Sequence, residues 1–561
     1  MKNFIHKSIE FADDKNNFVK IFLCIIIFLV LAKIPTIFFT DMQLWDEGLY
    51  ATRVLSIHQY GDFFDQTAHS VNGFYSSANP PVLIWIGYFF TLILGNHVWV
   101  YKIIPFIFAL FCIFFTIKIG EQILSLSAGY FAAFMLAGNI LFSAYCARFQ
   151  FDYPYLFFIL SAVYFFLKYE KDGKRINILY IGIIFGLFLM TKILVGIIIP
   201  AIFFISYLFL RKKIRFRFMD LVYICLTGAV IALPWHIYMI AKYGSTFLNE
   251  LFLFNIYRRA VYGLEQNTKN SGVLFYINFL VSVIPYSLIS FWALLKYLIN
   301  FKKLSTEKIF ITIWFALGLL IITAFKTKLE TYSLLIMPQA ALLATLYLKD
   351  LKSSSSLREK AFAYFMLVLN ILWSLTYNNR EPLKSYIADK HHILIIIPSA
   401  AIALIVIMYF SYLTAKKINP AAVYGMAAVL FFIGINIVHF VSVPYWADSS
   451  HLSEIKSNIE KTNSKNIVYI GSNFMANPQF SYYFSGLNIG WDNKDFTYTQ
   501  VDVKKEGTEN VKNFLDSLKQ NNLSIIIEKD RISRTDYDST YIFMPKKFNF
   551  VMRTSGYELY R

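Results

Sequence analysis

Charge is scarce in this chain, cysteine is scarcer, and the ligand pairs that metal sites need are missing. Charged residues fill only 16% of the 561 positions, against 57% hydrophobic and 19% aromatic residues. A soluble core of this length could not hide so much apolar surface, which excludes an ordinary soluble protein. The mean hydropathy of +0.51 points the same way. Cys24, Cys112, Cys146 and Cys225 all lie inside apolar runs without metal-like spacing, so they read as small core residues and imply neither disulfide nor metal. His58, His69, His97 and His236 also lack ligand spacing, and no metal centre is expected. Internal repeats are absent, and the single low-complexity run, Ser353 to Ser356, reads as a cytoplasmic linker. The first apolar run is too long for a cleavable signal and no small-residue cleavage site follows it, so it is expected to stay as an anchor.

What is present is a series of apolar runs matching a bilayer span of about 20 residues. They predict helices over 19–40, 100–119, 125–145, 153–169, 176–190, 193–210, 219–241, 272–298, 307–325, 330–349, 361–377, 391–415 and 420–440, about thirteen crossings of a polytopic α-helical membrane protein. The formal charge of +18 does not imply nucleic acid, because the basic residues fall in short clusters between apolar runs. Those clusters include Arg211-Lys212-Lys213, Lys302-Lys303 and Lys416-Lys417. If the short run 81–95 only dips into the interface, they share the side of the Lys-containing N-terminus, the positive-inside pattern. The N-terminus is then cytoplasmic and the C-terminus lies outside.

The same assignment puts the segment 41–99, the Arg148 to Asp152 stretch, Thr191-Lys192, the segment 242–271 and Lys326 to Tyr332 on the outer face. Most polar residues near span ends, apart from the cytoplasmic basic clusters, converge there, as a site with polar chemistry above and a lipid chain below requires. The chain therefore divides into 1–445, a membrane domain whose first outer loop is 41–99, and 446–561, a polar segment with strand-like runs at 466–471, 523–528 and 548–552. Val511, Phe514, Leu515 and Leu518 recur at helical spacing behind Thr508, a candidate N-cap, so this part is expected to be a small outer α/β domain.

The first outer loop carries the acidic pair Asp46-Glu47. Tyr50, Val54 and Ile57 then repeat at i, i+4, i+7 with Arg53 and His58 on other faces, which predicts an amphipathic interfacial helix. Asp46 either caps that helix or performs chemistry. Gly61-Asp62 should end it, Asn72-Gly73 should turn, and Asn79-Pro80-Pro81 should start a second interfacial element. Asp152 is a second carboxylate at the membrane edge, either reactive or a partner of Arg148 four positions earlier. Lys192 sits in a short turn between spans, where snorkelling is the alternative to ligand binding. Tyr332 fits an aromatic belt or a hydrogen bond to phosphate.

In this order the motifs resemble the GT-C membrane glycosyltransferases that use polyprenyl-phosphate sugars. The chain is most similar to the branch containing the aminoarabinose transferase of lipid A, related to the protein O-mannosyltransferases. The resemblance rests on Asp46-Glu47 with Tyr50, Arg53 and Gly61-Asp62; on Asn72-Gly73 and Pro80-Pro81; on Arg148 to Asp152 with Pro154; on Met190-Thr191-Lys192; and on Lys328 to Tyr332 with Pro338. It implies a GT-C fold with an undecaprenyl-phosphate-type sugar donor and a lipid or glycan acceptor at the periplasmic face of a bacterial inner membrane. Asp46 would be the catalytic base, Asp152 the second carboxylate, and Glu47 a further catalytic carboxylate or else a solvated one that supports its neighbours. Arg53, Asn79, Arg148, Lys192, Lys328 and Tyr332 would bind the lipid phosphate or sugar. Two positions depart from the pattern: Asn79 stands where the family has Lys before Pro-Pro, and Leu49 where it has Arg. The phosphate charge must then be met by others among Lys192, Arg148, Arg53, Lys326, Lys328 and Arg258-Arg259. No cofactor is implied, and a requirement for Mg²⁺ is left open. Transfer to Ser or Thr of a protein is the enzyme-class alternative. A transporter is the other, and it would place ionisable residues at mid-span.

Overall fold

The computed structural model describes residues 10–43, 45–71, 73–192, 196–263, 274–283, 286–353, 356–378, 405–446, 452–462, 466–471, 478–484, 497–519, 523–528, 542, 544–554 and 556–561. The apolar runs form helices α1 (Phe18–Phe38), α2 (Asp46–Tyr60), α3 (Val82–Leu94), α4 (Val98–Ile123), α5 (Leu126–Ala137), α6 (Asp152–Asp172), α7 (Ile176–Leu189) and α8 (Ile198–Leu210). These are followed by α9 (Phe218–Tyr243), α10 (Phe275–Val283), α11 (Ser287–Ile299), α12 (Thr306–Ala324), α13 (Met337–Ser353), α14 (Leu357–Asn378) and α15 (Pro420–Trp446). Among the described residues, six helical stretches are long and apolar enough to cross a membrane, and α3, α5, α7, α8 and α11 are shorter apolar helices. Large side chains such as Val230, Leu320 and Leu430 project outward from the bundle. That pattern suits helices whose solvent is hydrocarbon.

Three runs expected to be continuous are interrupted. The run 125–145 divides into α5 and Ile140–Tyr145, because the Asn139 side chain accepts the Leu141 amide at 2.8 Å and restarts the helix. The run 272–298 divides into α10 and α11, and 330–349 opens as a 3₁₀ turn over Glu330–Ile336 before α13. Of the expected span 391–415, only 405 onward is described, and it is helical to 417; residues 193–195 of the expected 193–210 span also lie outside the described residues.

Polar groups inside the bundle are paired through contacts distant in sequence. Lys33 of α1 is fully buried; its ammonium donates to the Ser143 carbonyl at 2.9 Å and to the Ser143 hydroxyl, and stands 3.2 Å from Nδ1 of His439 on α15. The Ser143 hydroxyl in turn donates to Asn436 at 3.1 Å. One buried cation thereby joins α1, the 140–145 helix and α15.

Beyond the membrane helices lie strands β1 (Asn466–Gly471), β2 (Thr497–Asp502), β3 (Leu523–Glu528), β4 (Phe550–Arg553) and β5 (Tyr557–Tyr560), with helices α16 (Leu452–Lys461), α17 (Pro478–Tyr483) and α18 (Thr508–Ser517). The strand order is β2-β1-β3-β5-β4; β1 runs parallel to β2 and β3, and β5 antiparallel to β3 and β4. Alternation divides the sheet faces. Val468, Ile470, Ile525 and Ile527 pack with Val511 and Leu515 of α18, while Ile467, Tyr469 and Ile526 join the core that includes Ile455, Ile459 and Phe480. That second core is continuous with the membrane part. Helix α18 starts at Thr508 itself, behind Gly507 at φ 79°, so Gly507 and not Thr508 holds the cap position.

Candidate active site

The site begins at a strained residue. Trp45 has φ 66° and ψ −110°, and it is the one non-glycine with positive φ among the described residues. For a bulky side chain this backbone costs about 1–3 kcal/mol and persists only where neighbours over-determine it. Here they do: the Gln43 amide donates to Glu47 Oε2 at 2.6 Å and the Met42 amide to the Tyr483 hydroxyl at 3.0 Å. The bend makes Asp46 the first residue of α2, exposed at a helix N-terminus, where the dipole favours a carboxylate. Trp45→Gly should release the strain, raising stability by about 1 kcal/mol while lowering turnover because the Asp46 carboxylate loses its fixed direction. Paired thermal unfolding and rate measurements check this.

Helix α2 exposes only its two ends, Asp46 and the turn His58 to Tyr60. Every residue from Glu47 to Ile57 is buried, and Gly61 at φ 74° ends it as the Gly61-Asp62 signal requires. Glu47 is 1% exposed and both its oxygens are engaged: Oε1 accepts the Phe149 amide at 2.7 Å, and Oε2 accepts the Gln43 amide and lies 3.3 Å from Lys102 Nζ of α4. Its geometry is that of a tie between the two acid-bearing segments. Arg53, set on another face by the sequence pattern, is fully buried and donates to Gln66 Oε1 and to the carbonyls of Ser76 and Asn79. It folds the first loop and spends its donors there. Asn79 meets it through its main chain, and Asn72 lies outside the described residues.

Asp152 opens α6, with the Tyr155 hydroxyl donating to it at 2.5 Å. Thr331 and Lys192 both lie within its electrostatic reach. The ring of Phe151 meets that of Tyr50 at 4.5 Å, so the Glu47 tie and this aromatic contact set α2 against the start of α6. Burial pushes the Tyr50 hydroxyl well above the usual phenol range, and the Asp46 charge adds to this while Arg259 opposes it. Tyr50 therefore remains a protonated donor beside Asp46.

Of the basic candidates, Lys192 and Arg259 face this cluster. Lys192 stands 5.9 Å from the centre of the Tyr332 ring, and the Val82 amide bonds the Met190 carbonyl at 3.1 Å, joining the Thr191-Lys192 turn to the first loop. Arg259 interacts electrostatically with Tyr332, Tyr75 and Tyr50, and its Nε is buried without an acceptor among the described residues. Backbone bonds from Thr327 to Arg259 and from Lys326 to Ala260 hold that segment against the 326–332 stretch. Arg148 forms no ion pair with Asp152; its guanidinium stacks 4.3 Å from the ring centre of Tyr145, on which Asp152 and Asp46 also act, and its Nε, like that of Arg259, is buried without an acceptor among the described residues. Lys328 is turned away, donating to the carbonyls of Ile322 and Thr323 at the end of α12. Its ammonium here meets the carbonyl end of a helix, a place for which basic residues are suited. Tyr50, Tyr75 and Tyr155, not singled out as site residues, entered through packing; only Arg259 had a sequence signal, as half of a basic pair in an outer segment.

Asp46 and Arg259 thus both act on Tyr50, Lys192 acts on Asp152, and Lys192 and Arg259 both lie near Tyr332, so five separate stretches of chain are linked electrostatically. The sequence profile described as dolichyl-phosphate-mannose-protein mannosyltransferase matches residues 78–238. An uncharacterized protein of Aquifex aeolicus (strain VF5) is 23% identical over 454 residues, 80% of this chain and 83% of that protein. YycA of Bacillus subtilis (strain 168), which carries a provisional mannosyltransferase description, is 25% identical over 218 residues, 37% of this chain and 31% of that protein. The profile covers residues 78–238 alone, and over the rest of the chain the likeness is one of fold, of the class of the GT-C-type membrane glycosyltransferases. Within that class its fold is the one seen in ArnT of Cupriavidus metallidurans solved with undecaprenyl phosphate, with 14% identity, a TM-score of 0.61 and 98% of each chain covered. The apo state of that protein gives a TM-score of 0.60 at 15% identity, over 97% of this chain and 98% of the other.

Proposed function

We propose that the chain transfers a glycosyl group from an undecaprenyl-phosphate-type sugar to a lipid or glycan acceptor at the periplasmic face of a bacterial inner membrane. The observation that carries this reading is that Asp46 and Arg259 both act electrostatically on Tyr50 and Lys192 on Asp152, with Asp46 exposed beyond a fixed bend. In this reading the acceptor hydroxyl is oriented and deprotonated by Asp46 as its oxygen bonds the anomeric carbon and the bond to the lipid phosphate breaks. Asp152 faces the positive charge that develops on the sugar. Lys192 and Arg259 meet the charge of the departing phosphate in place of the cations missing at Asn79 and Leu49, and Tyr332 donates a hydrogen bond. About thirteen crossings, a cytoplasmic N-terminus and a periplasmic C-terminal α/β domain complete the proposal, supported by the placement of the basic clusters.

Purified protein in nanodiscs, given a panel of polyprenyl-phosphate sugars with a glycolipid acceptor, should release the lipid phosphate in step with glycosylated product. No turnover with any donor would reject the reading. A second reading, mannosyl transfer to Ser or Thr, is favoured by the profile matched over 78–238. It would be chosen if peptide is glycosylated and glycolipid is not.

A further inference from the structure

Helix α17, from the C-terminal sheet region, lies on the chain segment that bears Asp46. Gly48 of α2 meets it backbone to backbone: a Cβ at Gly48 would fall 2.2 Å from the Gln479 nitrogen and 2.3 Å from its Cα. Only glycine permits that approach. The Tyr483 hydroxyl accepts the Met42 amide at 3.0 Å, three residues before the left-handed Trp45. Next to it, Ser453 of α16 donates to Asp41 at 2.6 Å. The Tyr482 ring meets Tyr101 at 5.5 Å, and Tyr101 meets Phe149 at 5.1 Å, the residue whose amide Glu47 accepts. One short helix thus braces both segments that carry the carboxylates. Gln479, Tyr482 and Tyr483 are buried in the contact.

We infer that α17 is a positioning element for the reaction, with Tyr483 the positioning residue: its hydroxyl fixes the strained turn that directs Asp46. This deepens the proposed glycosyl transfer and rests on that reading for its catalytic consequence. Tyr483 touches no reacting atom. It acts by holding the chain at Met42, and an error of about 1 Å in the placement of a catalytic group can cost on the order of a hundredfold in rate.

The test compares wild type, Tyr483→Phe and Lys547→Met in nanodiscs. Lys547 bonds the carbonyls of Asp516 and Leu518 elsewhere in the same region, so its loss perturbs the region without touching α17. Deuterium uptake is followed in a peptide covering 40–50, alongside kcat and KM for a polyprenyl-phosphate sugar. Tyr483→Phe should speed exchange in that peptide and lower kcat on the order of tenfold or more with KM nearly unchanged, while Lys547→Met does neither. Unchanged exchange in Tyr483→Phe would overturn the brace, and faster exchange with wild-type kcat would overturn its positioning role. If the wild type turns over no donor, the functional reading fails, and the exchange comparison alone still decides whether α17 braces the turn.

Discussion

Asp46→Asn should leave the protein folded and remove nearly all of its turnover. The substitution preserves shape at an exposed first helical position, where losing the carboxylate's interaction with the helix dipole costs about 0.3–1 kcal/mol, so unfolding should shift little. What is lost is a group that takes a proton as the new glycosidic bond forms, worth about 10²–10⁴ in rate. The measurement is kcat with a lipid-linked sugar beside the unfolding midpoint of the same preparation. A loss below about tenfold with an unchanged midpoint would remove Asp46 from the role of base.

Lys102→Met should be the most destabilising single change around the site. Lys102 and Glu47 are both essentially inaccessible, at 0% and 1% exposure of their side chains, and removal of the cation leaves Glu47 buried with its charge uncompensated. Breaking such a pair costs about 3–5 kcal/mol, far more than the pair contributes over an apolar replacement. The double variant Lys102→Met with Glu47→Gln should recover part of that loss, because no lone charge remains and Gln still accepts one amide. Thermal or denaturant unfolding of the four proteins of this cycle gives the coupling directly. Additive losses would mean that the two side chains act independently.

The outline of the membrane helices could be read from apolar runs because a lipid-facing helix has one dominant requirement, length in apolar residues. The stretches that carry Asp46, Asp152 and Lys192 could be read because charge at a span end is costly unless used or paired. What could not be read is which charged side chain faces the cluster and which serves the scaffold. Arg53 sits one helical turn from Leu49, and its spacing says nothing of Gln66 or of the carbonyls at 76 and 79 that surround it. Lys102 interrupts an apolar run 55 residues from Glu47, and no local pattern joins them. Lys328 looked like part of an outer motif, yet the end of α12 supplies carbonyls six and five residues back. The break at Asn139 was hidden because Gly138-Asn139 lies inside a run apolar enough to suggest one span.

The contact between Lys33 and His439 also bears on how the chain is made. The two are 406 residues apart, and synthesis at about 5–20 residues per second separates their appearance by roughly 20–80 s. Throughout that interval the opening helix rests in the bilayer with an ammonium that has not met its last partner. Ser143, 110 residues away, emerges first and offers a carbonyl and a hydroxyl as interim company. Helix α1 is therefore settled only after α15 arrives, hundreds of residues behind it.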